Sequence, residues 1–144
     1  MNDIQKIYDM LNWKNDAKTQ EDGIRLAKEI DDLSLLIMPP APASVWGHCA
    51  EILCEKSDQT LEPYLSGLLE WLGDINWPGA LEIFNRLKVF PPEKLKTPIK
   101  NSIASTCDRD DLDSESARRW LYSLSELLLA LLDSKTGDGL REPY

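Results

Sequence analysis

Apolar residues recur at intervals of three and four along almost the whole chain, and nowhere do they alternate convincingly. That spacing places them on one side of a helix and gives no strand a buried face. The pair Val89-Phe90 is too short to argue for a strand. The strongest stripe is Leu61, Tyr64, Leu65, Leu68, Leu69 and Leu72, ending at Gly73. Earlier faces are Ile4, Ile7, Tyr8 and Leu11; then Ile24, Leu26, Ala27 and Ile30; then Trp46, Cys49, Ala50, Leu53 and Cys54. Later ones are Leu81, Phe84, Leu87 and Phe90, then Ile99, Ile103 and Cys107. The last helix carries Ala117, Trp120, Leu121, Leu124, Leu127, Leu128 and Leu131, and ends near Asp133. Among these, Leu65, Leu68, Leu72, Leu81, Phe84, Leu121, Leu124 and Leu128 are predicted to be mostly buried.

Prolines punctuate the pattern, because they lack an amide hydrogen and restrict the residue before them. Pro39, Pro40 and Pro42 close a second helix that starts at Thr19 and reaches about Leu35. Ser44 caps the next helix, and Thr60 the one after it, with Pro63 in its first turn. Pro78 opens a fifth helix, Pro91-Pro92 stop it, and Thr97-Pro98 open a sixth. Short polar corners then fall near 12–18, 36–43, 56–60, 73–77, 91–97 and 108–114. The prediction is an all-α protein of about seven helices. Antiparallel hairpins would stack as a HEAT-like repeat or an irregular bundle, in one domain over 1–134 with a polar tail over 135–144. An echo between Leu11-Asn12-Trp13 and Ile75-Asn76-Trp77, each at a corner, favours the stack.

With 144 residues, of which 42% are hydrophobic, the chain can bury one substantial core. Five tryptophans are many for this length, and most are expected to sit partly buried with the ring nitrogen near an acceptor. Sixteen basic residues against 25 acidic ones give a net charge of −9. That balance opposes binding to nucleic-acid phosphates and to anionic lipid, and suits a basic protein partner. No apolar run is long enough to span a membrane, and no basic stretch followed by an apolar run opens the sequence. Three cysteines, an odd number, read as free thiols. The expected location is the cytoplasm.

Tests for chemistry nominate no catalytic, cofactor-binding or metal-binding residue. His48 is the sole histidine, and the adjacent Cys49 cannot face it on a helix. An enzyme would need a tertiary site around His48. Cys49, Cys54 and Cys107 lack the paired spacing of structural zinc. A calcium loop starting at Asp108 would need glycine sixth and glutamate twelfth, where Asp113 and Arg119 stand. No phosphate-binding glycine loop, zinc-protease motif or nucleophile elbow occurs. Two acidic groups remain as candidate protein contacts: Glu51, Glu55 and Asp58 on one side, and Asp108, Asp110, Asp111 and Asp113 on the other.

The most distinctive run is Leu61-Glu62-Pro63-Tyr64-Leu65 followed by Leu68-Leu69-Glu70-Trp71-Leu72-Gly73-Asp74-Ile75-Asn76-Trp77-Pro78-Gly79-Ala80. Physically it reads as a corner: Asp74 ends one helix, Asn76 bonds the turn backbone, Pro78 starts the next helix, and Gly79 permits a close approach. Trp71 and Trp77 are expected to pack across it; the alternative is an exposed aromatic recognition site at the same corner. The run resembles a family of small bacterial proteins described as a domain of unknown function, over roughly Trp13 to Leu131. The resemblance implies a HEAT-like helical fold and carries over no catalytic residue. The functional expectation is a non-enzymatic protein-interaction module, an immunity protein that binds a basic toxin. A structural or regulatory helical protein without a toxin partner is the alternative. Nothing in the sequence fixes an oligomeric state.

Overall fold

A computed structural model describes residues 3–107 and 114–141, and every regular element among them is helical. The α-helices are α1 (Asp3–Leu11), α2 (Ala17–Ala27), α3 (Trp46–Cys54), α4 (Asp58–Leu61), α5 (Leu65–Trp71), α6 (Ala80–Lys88), α7 (Pro92–Cys107) and α8 (Glu115–Arg141). A 3-10 turn at Glu62–Tyr64 joins α4 to α5 without a break, so these eight segments form about seven helical arms. Pro63 sits in that turn, and its missing donor is what tightens the run from α to 3-10 geometry. Neighbours in sequence pack as hairpins, α1 on α2 and α7 on α8. Across the hairpins α3 lies on α6, α5 on α7, and α6 on α8. The result is an all-α protein whose packing fits a stacked, HEAT-like arrangement of helices.

Several helix starts differ from the expectation. The cap of α2 is Asp16, whose carboxylate accepts the Thr19 N–H at 2.9 Å, so Thr19 lies inside the helix. That helix stops at Ala27, and only a 3-10 turn, Leu33–Leu36, precedes the proline corner. There the chain reverses through Met38 at φ 40°. Ser44 lies inside a 3-10 turn, Ala43–Val45, rather than capping α3. Ser57, not Thr60, caps α4 by accepting the Thr60 N–H at 3.1 Å. Helix α7 begins at Pro92 and runs straight through Pro98. An interior proline costs about 3 kcal/mol; here Leu95 and Ile99, both fully buried, hold the helix on either side of it. Ser114 caps α8, accepting the Ala117 N–H at 3.1 Å. That helix continues to Arg141, past the end expected near Asp133; no proline interrupts residues 134–141.

One apolar cluster runs from Tyr8 to Leu131 and draws on all of these helices. Leu65, Leu68, Leu72 and Leu124 are buried in it as expected. Leu81 is not: it is 54% exposed, and α6 turns Ala80, Ile83 and Leu87 inward instead, with Phe90 buried just past its end. Phe84, Leu121 and Leu128 are half-buried, and Leu127 and Leu131 take the innermost places on α8. Among the described residues no helix is long and apolar enough to cross a membrane.

The N-terminal hairpin is joined to this core by polar contacts as well. Tyr8 donates its hydroxyl to the Leu35 carbonyl at 2.6 Å, and the Trp13 N–H donates to Ser44 O at 3.3 Å. At the other end of α3, Arg86 from α6 donates to the carbonyls of Cys54 (3.2 Å) and Lys56 (2.9 Å) and pairs with Asp58 Oδ1 at 2.7 Å. These bonds satisfy the last carbonyl of α3 and one in the turn just after it, which the helix itself leaves unpaired.

Candidate docking site at the tryptophan corner

The turn between α5 and α6 is built by side chains and then locked by close packing. Asp74 Oδ1 accepts the Asn76 N–H at 2.9 Å, and the Trp77 N–H donates to Asp74 O at 3.0 Å. Asp74, not Asn76, is therefore the side chain that closes the turn. Its second oxygen faces Arg119 of α8 at 3.6 Å. Pro78 lies in the turn, and α6 starts two residues later, capped by Gly79 at φ 87°. A Cβ at Gly79 would stand 2.6 Å from Ala50 Cβ, 2.9 Å from Trp71 Cζ2 and 3.1 Å from Trp46 O. Only a glycine lets the corner press onto α3 and onto the Trp71 ring.

Three indoles gather there. Trp46 stands edge-on to Trp71, with centroids 6.0 Å apart, and edge-on to Trp77, at 5.8 Å. Trp46 is thus the middle member, where direct packing of Trp71 on Trp77 was expected. Trp71 is fully buried and donates Nε1–H to Pro78 O at 3.0 Å; Trp46 donates to Pro39 O at 3.1 Å. Trp120, on α8, donates to Leu69 O at 2.9 Å, which fixes its ring beside the C-terminal turn of α5. Trp77 remains 39% exposed, and Trp13, at the echoing corner, 55%. The two corners are closed differently, since Asn12 Oδ1 accepts the Lys14 N–H at 3.0 Å while Asn76 is the donor at its own.

Two open grooves border the corner, and α8 forms part of the wall of each. In one, Glu70, Gly73, Trp77, Ser116 and Trp120 line a space of about 450 Å³. In the other, Ile75, Leu81, Phe84, Tyr122, Ser123 and Glu126 line about 190 Å³, almost wholly apolar. Tyr122 is 68% exposed there, beside the outward-facing Leu81 and Ile75. The sequence pattern concealed this face, because the Leu81 position reads as core when the helix phase is taken from leucines alone.

The candidate acidic contacts are dispersed. Glu51 on α3 and Glu55 just past its end are exposed one turn apart, but Glu51 Oε1 bonds His48 Nδ1 at 2.8 Å and Glu55 meets Lys28 at 3.3 Å. Asp58 is held by Arg86. Asp108, Asp110, Asp111 and Asp113 lie outside the described residues.

His48 is half-buried between two helices, with Nε2 2.7 Å from Gln20 Oε1. Gln20 is oriented by donating Nε2–H to Asn15 O at 2.7 Å. A neutral imidazole can donate to one of its two oxygen partners, and a charged one to both. Burial pushes the Cys49 thiol up to about 12 and the Cys54 thiol up to about 11, so neither is a ready nucleophile. Cys107 is exposed. Among the described residues no three His, Cys, Asp or Glu side chains converge as metal ligands would.

Residues 48–134 match a family described as Domain of unknown function (DUF5071). The match spans well over half of the chain and begins at His48, later than the Trp13 boundary expected from the sequence. No curated protein and no solved structure matches the chain.

Proposed function

We propose that this chain, which belongs to the DUF5071 family, is a non-enzymatic protein-interaction domain that docks a basic protein through its tryptophan corner. One observation carries the reading: Trp77 and Ile75 of the glycine-closed corner, Leu81 of α6 and Tyr122 of α8 are exposed to solvent along two open grooves. Contiguous exposed apolar side chains on a well-packed scaffold are the physical signature of a docking face. Aromatic anchors supply most of the energy at such faces. The net charge of −9 would draw a basic partner towards it and raise the association rate. A toxin that acts on nucleic acid is one such partner, since its own site must attract phosphate, and an immunity protein would bind and block it.

The test is co-expression with the product of the adjacent reading frame. The reading requires that the two proteins co-purify and that Trp77→Ala or Tyr122→Ala weakens the complex while leaving the helical circular dichroism intact. Rescue of cells from a toxic neighbour would establish the immunity role. A complex that forms equally well with both substitutions places the docking face elsewhere. A neighbour that neither binds nor harms cells leaves a structural or regulatory helical protein, and the immunity reading falls.

A further inference from the structure

We propose that the slot between Trp77 and Trp120 binds an arginine side chain presented by a protein partner. This deepens the docking reading by naming what the partner must insert. Both indoles border the same space of about 450 Å³, and neither is free to turn away. Trp120 is held by its bond to Leu69 O, and Trp77 by its perpendicular contact with Trp46 and by the close approach of Gly73 to its six-membered ring. A Cβ on Gly73 would stand 3.5 Å from Trp77 Cζ3, so the ring lies close over that glycine.

Of the five residues lining the slot, Glu70 alone carries an acidic side chain and none is basic. Arg119, next to Trp120 on α8, is engaged by Asp74 and Glu115. Glu70 is exposed and makes no ion pair among the described residues, in contrast to Glu55, Asp58 and Asp74. The slot also abuts the C-terminal end of the continuous helical run through α4 and α5, where backbone carbonyls concentrate partial negative charge. The cation–ring contacts found among the described residues lie elsewhere, Arg86 over Phe90 and Lys88 over Phe84.

A cation held by the two indole rings and a carboxylate would satisfy all of these groups together. Guanidinium fits better than ammonium. It is planar, it stacks on aromatic rings, and its fork can meet a carboxylate with two parallel hydrogen bonds. Beyond Glu70 and Trp120 the surface continues past Ser66, Asn101, Ser102 and Ser105, which offer hydroxyl and amide groups to the backbone that carries the arginine.

The slot can be tested without any partner, so its failure is separate from failure of the docking reading. The probe is the peptide acetyl-Gly-Arg-Gly-amide, with the glutamine peptide as control. It is titrated into the full chain while the five tryptophan indole N–H signals are followed by proton–nitrogen NMR. The expected result is saturable movement of the Trp77 and Trp120 signals in the millimolar range, with no saturable movement from the glutamine peptide. Glu70→Gln, at an exposed position, should weaken the arginine peptide by about two- to fivefold. Trp77→Ala should weaken it by about fivefold or more. Unmoved Trp77 and Trp120 signals, equal binding of the glutamine peptide, or full affinity in Glu70→Gln would each overturn the proposal. If the slot fails but a partner still co-purifies, the docking reading stands without it.

Discussion

The Gly79→Ala substitution adds one methyl group at a backbone position with φ 87°. Two costs follow from the geometry. An L side chain in the left-handed region is disfavoured by about 1–2 kcal/mol. The new Cβ would also lie 2.6 Å from Ala50 Cβ and 2.9 Å from Trp71 Cζ2. Both neighbours are fully buried, so neither can swing aside, and overpacking of this kind costs about 1–3 kcal/mol. The expected loss is about 2–5 kcal/mol, a large share of the roughly 5–15 kcal/mol that holds a domain folded. With a urea dependence of about 2 kcal/mol per molar, the unfolding midpoint should fall by about 1–2.5 M. Gly47→Ala is the matched control. It makes the same chemical change inside α3, where a Cβ meets nothing within 4 Å. There the gain in helix propensity should raise stability by about 0.5 kcal/mol. Urea denaturation followed by tryptophan fluorescence and circular dichroism measures both. If the two variants unfold at the same midpoint, or Gly79→Ala loses less than about 1 kcal/mol, the corner is not packed against α3 as described.

Leu68→Ala should cost about 2–5 kcal/mol because the side chain is fully buried, while Leu81→Ala should stay within about 0.5 kcal/mol; chemical denaturation separates the two. Arg86→Met removes both carbonyl bonds and leaves Asp58 unpaired, and should cost about 1–3 kcal/mol. Adding Asp58→Asn should recover part of that loss, and additive losses would show that the pair is not coupled. Asp16 is held below its ordinary 3.8, chiefly by its bonds to Thr19, so its contribution is present above that value and lost as pH falls through the folded pKa. Asp16→Asn keeps a capping side chain that does not titrate, and should flatten the acid limb of a stability–pH curve.

The helical class was legible because period and proline placement act locally, and both survive in the fold. The α5 stripe was legible for a further reason: Leu61, Leu65, Leu68, Leu69 and Leu72 leave only one face that can be buried. Helix α6 has apolar residues at 81, 83, 84 and 87, enough to support two phases. The choice between them depends on packing against α3 and α8, which are remote in sequence. The same holds for Pro98, where burial of Leu95 and Ile99 overrides a local break signal. At the corner, the motif residues were legible but their partners were not. Trp46 comes from a helix more than twenty residues earlier, and Trp120 from one more than forty residues later. The acidic residues drew attention as charge, yet only the fold reveals that three of them are already engaged and that Glu70 is the one facing an aromatic slot.

The three thiols sit at three depths, and that gradation gives the molecule a built-in record of how it comes apart. Thiol-reactive reagents capture the thiolate, and only where they can reach it. Cys107, exposed, marks the intact fold within the first moments of a labelling pulse. Cys54 is half-buried, with its sulfur 3.4 Å from Glu82 O, and becomes available when α3 and α6 part. Cys49 is fully enclosed and waits for the core itself to open. The order and spacing of the three labelling rates would therefore read out the sequence of opening events in the unaltered chain, and would distinguish a molecule that frays between hairpins from one that unfolds all at once.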